Sequence, residues 1–461
     1  MSDTSWFDDL GLGIFLHWGH ASSRGWEMSW QMTGGVTGQL PPREPVSCEE
    51  YFANASSFDP DAFDAVRWAD DIAAAGARYA VFTSKHHDGF AMFDTKLSDY
   101  SITRTSPFGR DVLGELVPAL RERGLRIGIY FSIIDWHHED YPRYSDSTIR
   151  KPYVLGDYPR PNHEGWRRYR SFMLNQLTEL LTRYGPIDIC WLDGEFEHSA
   201  EEWDFADIRA HIRDLQPNCL VNDRCIGFGD FTTPEQQLRQ TPPDGPWELC
   251  MTMNDSWSWV DTDHNWKSPH ALVERLVETV VAGGNLLLGV GPLGDGTFPD
   301  EATLLLRSIG TWVSANAESV HGLRAGLTSH QCRLPTSRRS TSDGERIYVY
   351  LTMSPAETLV LQQLPVNRIH SVRWLDTGSE LPWAASPSLP DVHRAAADPL
   401  GELTITLSAA RAASICPVLA IDITAAEPTD EGRRTPAIAQ PGSHDIVPPE
   451  GSAAPSGSDT S

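Results

Sequence analysis

Residues from about 10 to 325 alternate short apolar runs with longer stretches in which apolar residues recur at helical spacing. This alternation is typical of repeated strand–helix units, which build a parallel sheet covered by helices. About seven units occur in this region, and a closed barrel of eight units needs about 250 residues. No glycine-rich phosphate loop follows the first apolar run, which disfavours an open doubly wound sheet. We therefore predict a (β/α)8-like TIM barrel over residues 1–325.

Seven strands and five helices are predicted within this barrel. The strands are predicted at Gly13–Leu16, Tyr79–Thr83, Leu125–Phe131, Ile187–Leu192, Cys219–Asn222, Trp247–Met253 and Leu286–Val290. The helices are predicted at Pro60–Ala75, Asp111–Arg123, Trp166–Tyr184, Trp203–Leu215 and Pro269–Ala282. Asp59 and Pro60 form an N-cap and first-turn pair for the first helix.

The chain changes character after the barrel. Short apolar runs between turns predict a small C-terminal β-sandwich over residues 326–425, with strands at 346–352, 357–361, 369–374, 403–407 and 418–423. Residues 426–461 are largely Pro, Ser, Gly, Thr and Asp without apolar periodicity, which predicts a disordered tail.

Composition excludes several classes of partner. The net charge of −26 disfavours binding to nucleic acid or to anionic membranes. No run of 18 apolar residues occurs, and the N-terminus lacks the pattern of a signal peptide, so we expect a cytoplasmic protein. The seven cysteines are scattered without CxxC spacing, which disfavours disulfides and structural zinc. No cofactor is predicted, and the oligomeric state is left open.

The tetrad Lys85-His86-His87-Asp88 follows the second predicted strand. Because burying unpaired charge is costly, we expect these four side chains to project from the sheet rather than into a core. Polar residues also end most of the other predicted strands. In a parallel barrel all such ends meet at one face, which is the position of the active site. The pattern therefore indicates an enzyme.

Asp193 is the best candidate for a nucleophile, since it ends an apolar run and precedes a glycine that leaves room for a ligand. Retaining glycosidases need a second carboxyl group as acid/base. Glu248 in the sixth predicted strand is preferred, because apolar neighbours would keep it protonated. Glu235, in the loop before that strand, is the alternative.

Three roles are open for His17, His86 and His87: metal binding, recognition of sugar hydroxyls, or structure. Hydroxyl recognition ranks first, because Lys85 beside the pair disfavours a cation and no later strand clearly supplies another histidine. Arg224 is either a substrate clamp or half of an ion pair. Trp191 lies two residues before Asp193 on the same face of the strand and is a candidate apolar wall.

Taken together, these strand endings resemble glycoside hydrolase family 29, the α-L-fucosidases, over roughly residues 6–322. The segments that carry the resemblance are Gly13–Gly19, Lys85–Phe90, Gly128–Ser132 with Asp135-Trp136, Trp191–Gly194, Asn222–Arg224, Trp247-Glu248 and Gly283–Leu288 with Gly291-Pro292.

The resemblance implies retaining hydrolysis of α-L-fucosides in a fucosylated glycoside, without a metal. It places Asp193 on the nucleophile, and it places these residues on positions that hold fucose hydroxyls or line the subsite: His17, His86, His87, Tyr130, Trp191 and Arg224. Trp30 matches a pocket tryptophan that usually follows a glutamate. Here Ser29 precedes it, with Glu27 two positions before Ser29. The acid/base is left between Glu248 and Glu235.

Two other functions are kept as alternatives. One is a metal-dependent barrel hydrolase that uses His17, His86, His87 and Asp193. The other is a carbohydrate-binding pseudoenzyme in which the β-sandwich acts as a lectin-like module. The presence of Asp193 argues against the second.

Overall fold

The computed structural model describes residues 4–34, 44–142, 162–238, 241–353, 357–388, 398–407 and 414–426. The predicted tail lies outside these ranges except for its first residue, Ala426.

Seven parallel strands form one curled sheet with the order β5-β4-β3-β2-β1-β7-β6. They are β1 Leu12–Leu16, β2 Tyr79–Lys85, β3 Arg126–Ser132, β4 Ile189–Asp193, β5 Leu220–Val221, β6 Glu248–Thr252 and β7 Asn285–Val290. Every strand predicted from the sequence is present, with boundaries that differ by at most two residues. The strands are buried almost throughout, as expected for a parallel sheet with both faces covered.

Residues 231–236, which we call the closing segment, fill the gap between β5 and β6. Parallel bridges join Phe231 to Asn222 on one side, and Glu235 to Cys250 on the other. The Gln236 amide donates to the Cys250 carbonyl at 2.8 Å. The seven strands and the closing segment thus complete an eight-membered ring. The sequence predicted only a loop here, because Pro234 has no amide to give to a regular ladder.

Eight α-helices occur in the described residues: α1 Cys48–Ala53, α2 Ala65–Ala74, α3 Val112–Glu122, α4 His163–Arg183, α5 Ala200–Trp203, α6 Phe205–Leu215, α7 Pro269–Val281 and α8 Asp300–Asn316. Five of them, α2, α3, α4, α6 and α7, are those predicted. The predicted start of α2 at Pro60 is wrong. The Asp64 carboxylate accepts from the amides of Val66 and Arg67 at 3.0 and 3.1 Å, and it caps the helix in place of Asp59. None of the helices in the described ranges is long and apolar enough to span a bilayer.

The C-terminal strands form two antiparallel sheets. They are β8 Arg324–Ala325, β9 Thr336–Thr341, β10 Gly344–Tyr350, β11 Thr358–Pro365, β12 Ile369–Trp374, β13 Trp383–Pro387, β14 Leu400–Thr406 and β15 Val418–Thr424. One sheet has the order β12-β15-β10-β9-β8 and the other β11-β14-β13, with an apolar core between them, as the predicted β-sandwich requires. The sequence missed β9 because its residues, Thr-Ser-Arg-Arg-Ser-Thr, include no apolar side chain.

The sandwich packs against the last barrel helix. The Trp312 indole of α8 donates to the Cys416 carbonyl at 2.9 Å, and Arg346 of β10 contacts the Glu318 carboxylate at 2.9 Å. These contacts cross the predicted domain boundary at residue 325. The boundary therefore stays a prediction.

A separate apolar cluster fills the barrel interior at the amino-terminal ends of the strands. Phe7 lies under the strands, with ring centroids 4.6 Å from Phe231 and 6.5 Å from Tyr79. Above them lie Phe15 and Trp191, whose ring centroids are 5.2 Å apart. In the part of the chain that the structure describes, the interior is therefore closed at the amino-terminal end of the strands, and the entrance for a ligand lies at the carboxyl-terminal end.

Candidate active site

A cavity of about 360 Å³ lies at the carboxyl-terminal ends of the barrel strands. Its polar lining consists of His17, His86, Asp193, Arg224, Glu235, Gln236, Gln237 and Cys250. Its aromatic lining consists of Phe15, Trp30, Tyr130, Trp191 and Trp257. Eight of the ten predicted site residues line this cavity. The exceptions are His87 and Glu248.

Asp193 is the last residue of β4, and its carboxylate is held from two sides. The Tyr130 hydroxyl donates to Oδ2 at 2.7 Å, and the Gly194 amide donates to Oδ1 at 2.9 Å. Gly194 has a φ of +97°, and a Cβ there would lie 2.7 Å from the Ile134 side chain, so only glycine fits. These two hydrogen bonds fix the direction of the side chain. Asp193 is therefore an oriented carboxyl group at the cavity wall.

The three predicted histidines are buried, and burial lowers the pKa of each below its usual value, for His87 to about 3. The Nδ1 atom of His86 lies 2.5 Å from Ser29 Oγ, and that of His87 lies 2.6 Å from Ser132 Oγ. Neutral imidazoles suit hydroxyl recognition, since each ring offers one donor and one acceptor.

His17 and His87 occupy different positions relative to the cavity. His17 lines it, and its Nδ1 atom is buried without a hydrogen-bond partner among the described residues. His87 lies behind the wall, with Nε2 3.7 Å from Asp193 Oδ2. The placement of His87 favours contact with the Asp193 carboxylate over direct lining of the subsite.

The other two members of the tetrad are directed away from the cavity. Lys85 is fully buried, with Nζ 3.0 Å from Gln176 Oε1 and 3.4 Å from Asp135 Oδ2. Asp88 is buried too, and accepts from the Tyr51 hydroxyl at 2.8 Å. The expectation that all four side chains project from the sheet is therefore wrong, because each charged member has a buried partner that offsets its desolvation.

Arg224 lies between two carboxylates. Its Nη1 atom is 2.9 Å from Glu195 Oε1, and its Nη2 atom is 3.2 Å from Glu235 Oε2. The guanidinium carbon is 5.7 Å from the centre of the Trp191 ring. Arg224 therefore lines the cavity and forms an ion pair at the same time, so both roles considered for it apply to its position.

The structure does not bring Glu248 to the cavity. This residue begins β6 deep in the barrel and is fully buried. Its two oxygens accept from the Tyr79 hydroxyl at 2.8 Å and from the Trp191 indole at 2.7 Å. Of the two carboxyl groups considered for the acid/base, only Glu235 faces the same space as Asp193.

Glu248 should instead make stability depend on pH. Burial raises its pKa from 4.5 to about 7. Since the folded pKa exceeds the unfolded one, the stabilising contribution is fully present below pH 4.5 and is lost as the pH rises through about 7. We expect the difference in free energy of unfolding between Glu248→Gln and wild type to shift by about 1 to 3 kcal/mol in favour of the variant as the pH rises from 5 to 8. Thermal unfolding at each pH measures this difference. The control Glu201→Gln, at an exposed position, should show no such change; an equal change in both variants would contradict the assignment.

Trp257 is a cavity residue that the sequence analysis did not single out. The loop after β6 is held by Glu27, whose carboxylate accepts from the amides of Trp257 and Ser258 at 2.6 and 3.0 Å. Glu27 therefore supports the cavity from behind, while Ser29 contacts His86. An aromatic residue shortly after a predicted strand was the signal that could have found Trp257.

Glu195, Gln236, Gln237 and Cys250 were also missed as neighbours of the site. Gln236 has a φ of +60°, rare for a residue with a side chain, which turns the chain at the top of the closing segment. No sequence signal indicated this turn. Within the ranges that the structure covers, no three His, Cys, Asp or Glu side chains are grouped so that they could hold a metal ion.

Comparisons with known proteins point to one family. The family model described as "Alpha-L-fucosidase" matches residues 2–318. The tissue alpha-L-fucosidase of Bos taurus is 29% identical over 412 residues, which are 83% of this chain and 82% of that protein.

Solved structures are similar over most of the chain. The alpha-L-fucosidase isoenzyme 1 of Paenibacillus thiaminolyticus is 32% identical, with a TM-score of 0.75 over 91% of this chain and 98% of that one. The alpha-fucosidase of Thermotoga maritima, in complex with a mechanism-based inhibitor, is 29% identical with a TM-score of 0.71 over 90% of this chain and 96% of that one. The match to the family model covers more than half of the residues, and the chain therefore belongs to the alpha-L-fucosidase family.

Proposed function

We propose that this protein hydrolyses terminal α-L-fucosides with retention of configuration, by double displacement through a covalent fucosyl-enzyme on Asp193. The observation that carries the proposal is the pair of carboxyl groups, Asp193 and Glu235, that face one closed-ended cavity. Family membership and the names of the relatives support the choice of sugar.

The two carboxyl groups differ in the way that the mechanism needs. Asp193 accepts two hydrogen bonds and ends a rigid strand, which suits a fixed, ionised nucleophile. Glu235 is more exposed, at 35% of its side chain against 18% for Asp193, and lies nearer to the solvent from which the second-step water comes. Retaining glycosidases divide the roles of nucleophile and acid/base in this way.

Each step then has an assigned residue. The Asp193 carboxylate attacks the anomeric carbon while protonated Glu235 gives its proton to the leaving oxygen. The resulting Glu235 carboxylate removes a proton from water, which attacks the same carbon from the face that the leaving group vacated. This step releases Asp193 and restores protonated Glu235, so configuration is retained and the enzyme returns to its starting state.

The remaining lining matches a 6-deoxy sugar. L-Fucose in a glycoside presents three hydroxyl groups and one methyl group. His17 and His86 line the cavity as neutral imidazoles, and Arg224 adds a donor, so these groups serve the hydroxyls. Phe15, Trp191 and Trp257 supply aromatic surface for the methyl group and the apolar face of the ring.

Hydrolysis of an aryl α-L-fucoside, followed by proton NMR, tests the proposal. We expect α-L-fucose as the first-formed product, before mutarotation. Addition of EDTA should leave kcat/KM unchanged, since the mechanism uses two carboxyl groups and no cation. Loss of activity on chelation, restored by a divalent metal, would favour the metal-dependent hydrolase instead. Sugar binding without turnover would favour the pseudoenzyme, and β-L-fucose as first product would overturn retention.

A further inference from the structure

We propose that Glu195 is a positioning residue, which acts through Arg224 to keep Glu235 protonated over the pH range in which the enzyme works. The proposal rests on the proposed function, since it concerns the acid/base of the same cavity. Glu195 does not line that cavity and needs no contact with substrate.

The geometry gives Arg224 two carboxylate partners at similar distances. Nη1 meets Glu195 at 2.9 Å and Nη2 meets Glu235 at 3.2 Å. A guanidinium is planar and always charged, so its two outer nitrogens hold both carboxyl groups in one fixed arrangement. Glu195 has the shorter contact and is the less exposed of the two, at 14% of its side chain. It therefore takes the larger share of the guanidinium charge.

Besides Arg224, the Glu195 carboxylate interacts with its own backbone amide. Its second oxygen, Oε2, is buried without a partner among the described residues. Burial raises the pKa of Glu195, the neighbouring Asp193 carboxylate raises it further, and Arg224 opposes both effects. A buried carboxylate with one unpaired oxygen lowers the stability of the fold. A purely structural role is therefore a poor explanation for Glu195.

The charged and titratable groups around this pair come from five elements. Tyr130 lies on β3, Asp193 ends β4, Arg224 follows β5, Glu235 lies in the closing segment and Cys250 lies on β6. His87 is also close enough to interact with Arg224. With the three carboxyl groups ionised, the single guanidinium leaves the group with a net charge of −2. Protonation of Glu235 lowers the electrostatic repulsion among the three carboxyl groups.

The direction of the effect follows from the charge balance. When Glu195 is ionised, it competes with Glu235 for Arg224, so Arg224 stabilises the Glu235 anion less. If Glu195 were neutral, Glu235 would be the salt-bridge partner left to Arg224, while Asp193 would still interact with Arg224 electrostatically. Ionised Glu235 would then form at lower pH. Glu195→Gln keeps the shape and an oxygen acceptor for Arg224 but removes the charge.

The first experiment compares kcat/KM against pH for an aryl α-L-fucoside. We expect Glu195→Gln to move the basic limb, which reports loss of the acid proton, by about 1 pH unit to lower pH. Glu195→Asp, which keeps the charge, should restore the limb toward its wild-type position. Glu115→Gln is the control, because it neutralises a carboxylate paired with Arg110 at 2.5 Å on a distant helix, and should not move the limb. Lower turnover of Glu195→Gln with an unmoved basic limb would overturn the proposal.

The second experiment does not depend on turnover. The carboxyl carbon of Glu235 is observed by NMR in glutamate-labelled protein and assigned by its absence from Glu235→Gln. Its titration midpoint should fall by about 1 pH unit in Glu195→Gln. If wild type does not hydrolyse fucosides, the proposed function fails while this midpoint still tests the coupling. An unchanged or raised midpoint overturns the role of Glu195, whatever the activity.

Discussion

Asp193→Ala is expected to lower kcat for an aryl α-L-fucoside by on the order of 10⁴-fold, because the variant lacks the carboxylate that attacks the anomeric carbon. Removal of the side chain leaves a space beside Tyr130 that a small anion can enter. Azide should therefore restore part of the activity, and the product should be the β-configured fucosyl azide, since azide attacks from the face that Asp193 occupied.

Asp188→Ala is the matched control for this variant. Asp188 lies just before the same strand, at its opposite end, where its carboxylate contacts Arg126 at 2.7 Å and accepts from the Ile127 amide at 2.8 Å. We expect a lower melting temperature with kcat close to wild type. Equal turnover by wild type and Asp193→Ala would refute the assignment of the nucleophile.

Glu235→Ala is expected to have the second largest effect, and its size should depend on the leaving group. For a fucosylated disaccharide, whose leaving alkoxide needs a proton, we expect kcat to fall by about 10²- to 10⁴-fold. For an aryl fucoside whose phenolate leaves without protonation, the first step should be little affected. Azide should then accelerate turnover and give the α-configured fucosyl azide, because it attacks the fucosyl-enzyme on Asp193. The basic limb of the pH profile should disappear.

The two azide products separate the two roles, since a nucleophile variant and an acid/base variant give opposite anomers. The Glu248→Gln variant should keep the basic limb of the wild-type pH profile and the wild-type dependence on the leaving group. Glu248 lies under Trp191 and does not reach the substrate space. Loss of the basic limb in Glu248→Gln, together with its survival in Glu235→Ala, would restore the preference for Glu248 drawn from the sequence.

The structure places Glu248 away from the cavity for a reason that depends on register. The two glutamates belong to neighbouring members of the barrel, but Glu248 begins β6, whereas Glu235 is the next-to-last residue of the closing segment. Glu235 is paired with Cys250, two residues further along β6, and so lies nearer to the carboxyl-terminal end of the barrel. The position of the closing segment depends on long-range bridges to Asn222 and Trp247, which leave no local periodicity in the sequence.

Local patterns were sufficient for the strands and for the nucleophile candidate. β2 and β4 each begin with four consecutive apolar residues, Tyr79–Phe82 and Ile189–Leu192, because buried parallel strands are covered on both faces. A charged residue directly after such a run, as at Asp193, must lie where the strand leaves the core. The same argument misjudged Lys85 and Asp88, whose buried partners Gln176 and Tyr51 are 91 and 37 residues away in the chain.

The sequence by itself therefore determined the barrel, the sandwich and the face on which chemistry occurs, since each depends on apolar periodicity and on the points where it stops. Only the tertiary structure decided which carboxyl group joins Asp193, that Trp257 completes the aromatic wall, and that Arg224 is shared by Glu195 and Glu235. These features depend on side chains from separate elements meeting in space. The distances between them are set by how the eight-membered ring closes, and no short stretch of residues contains that information.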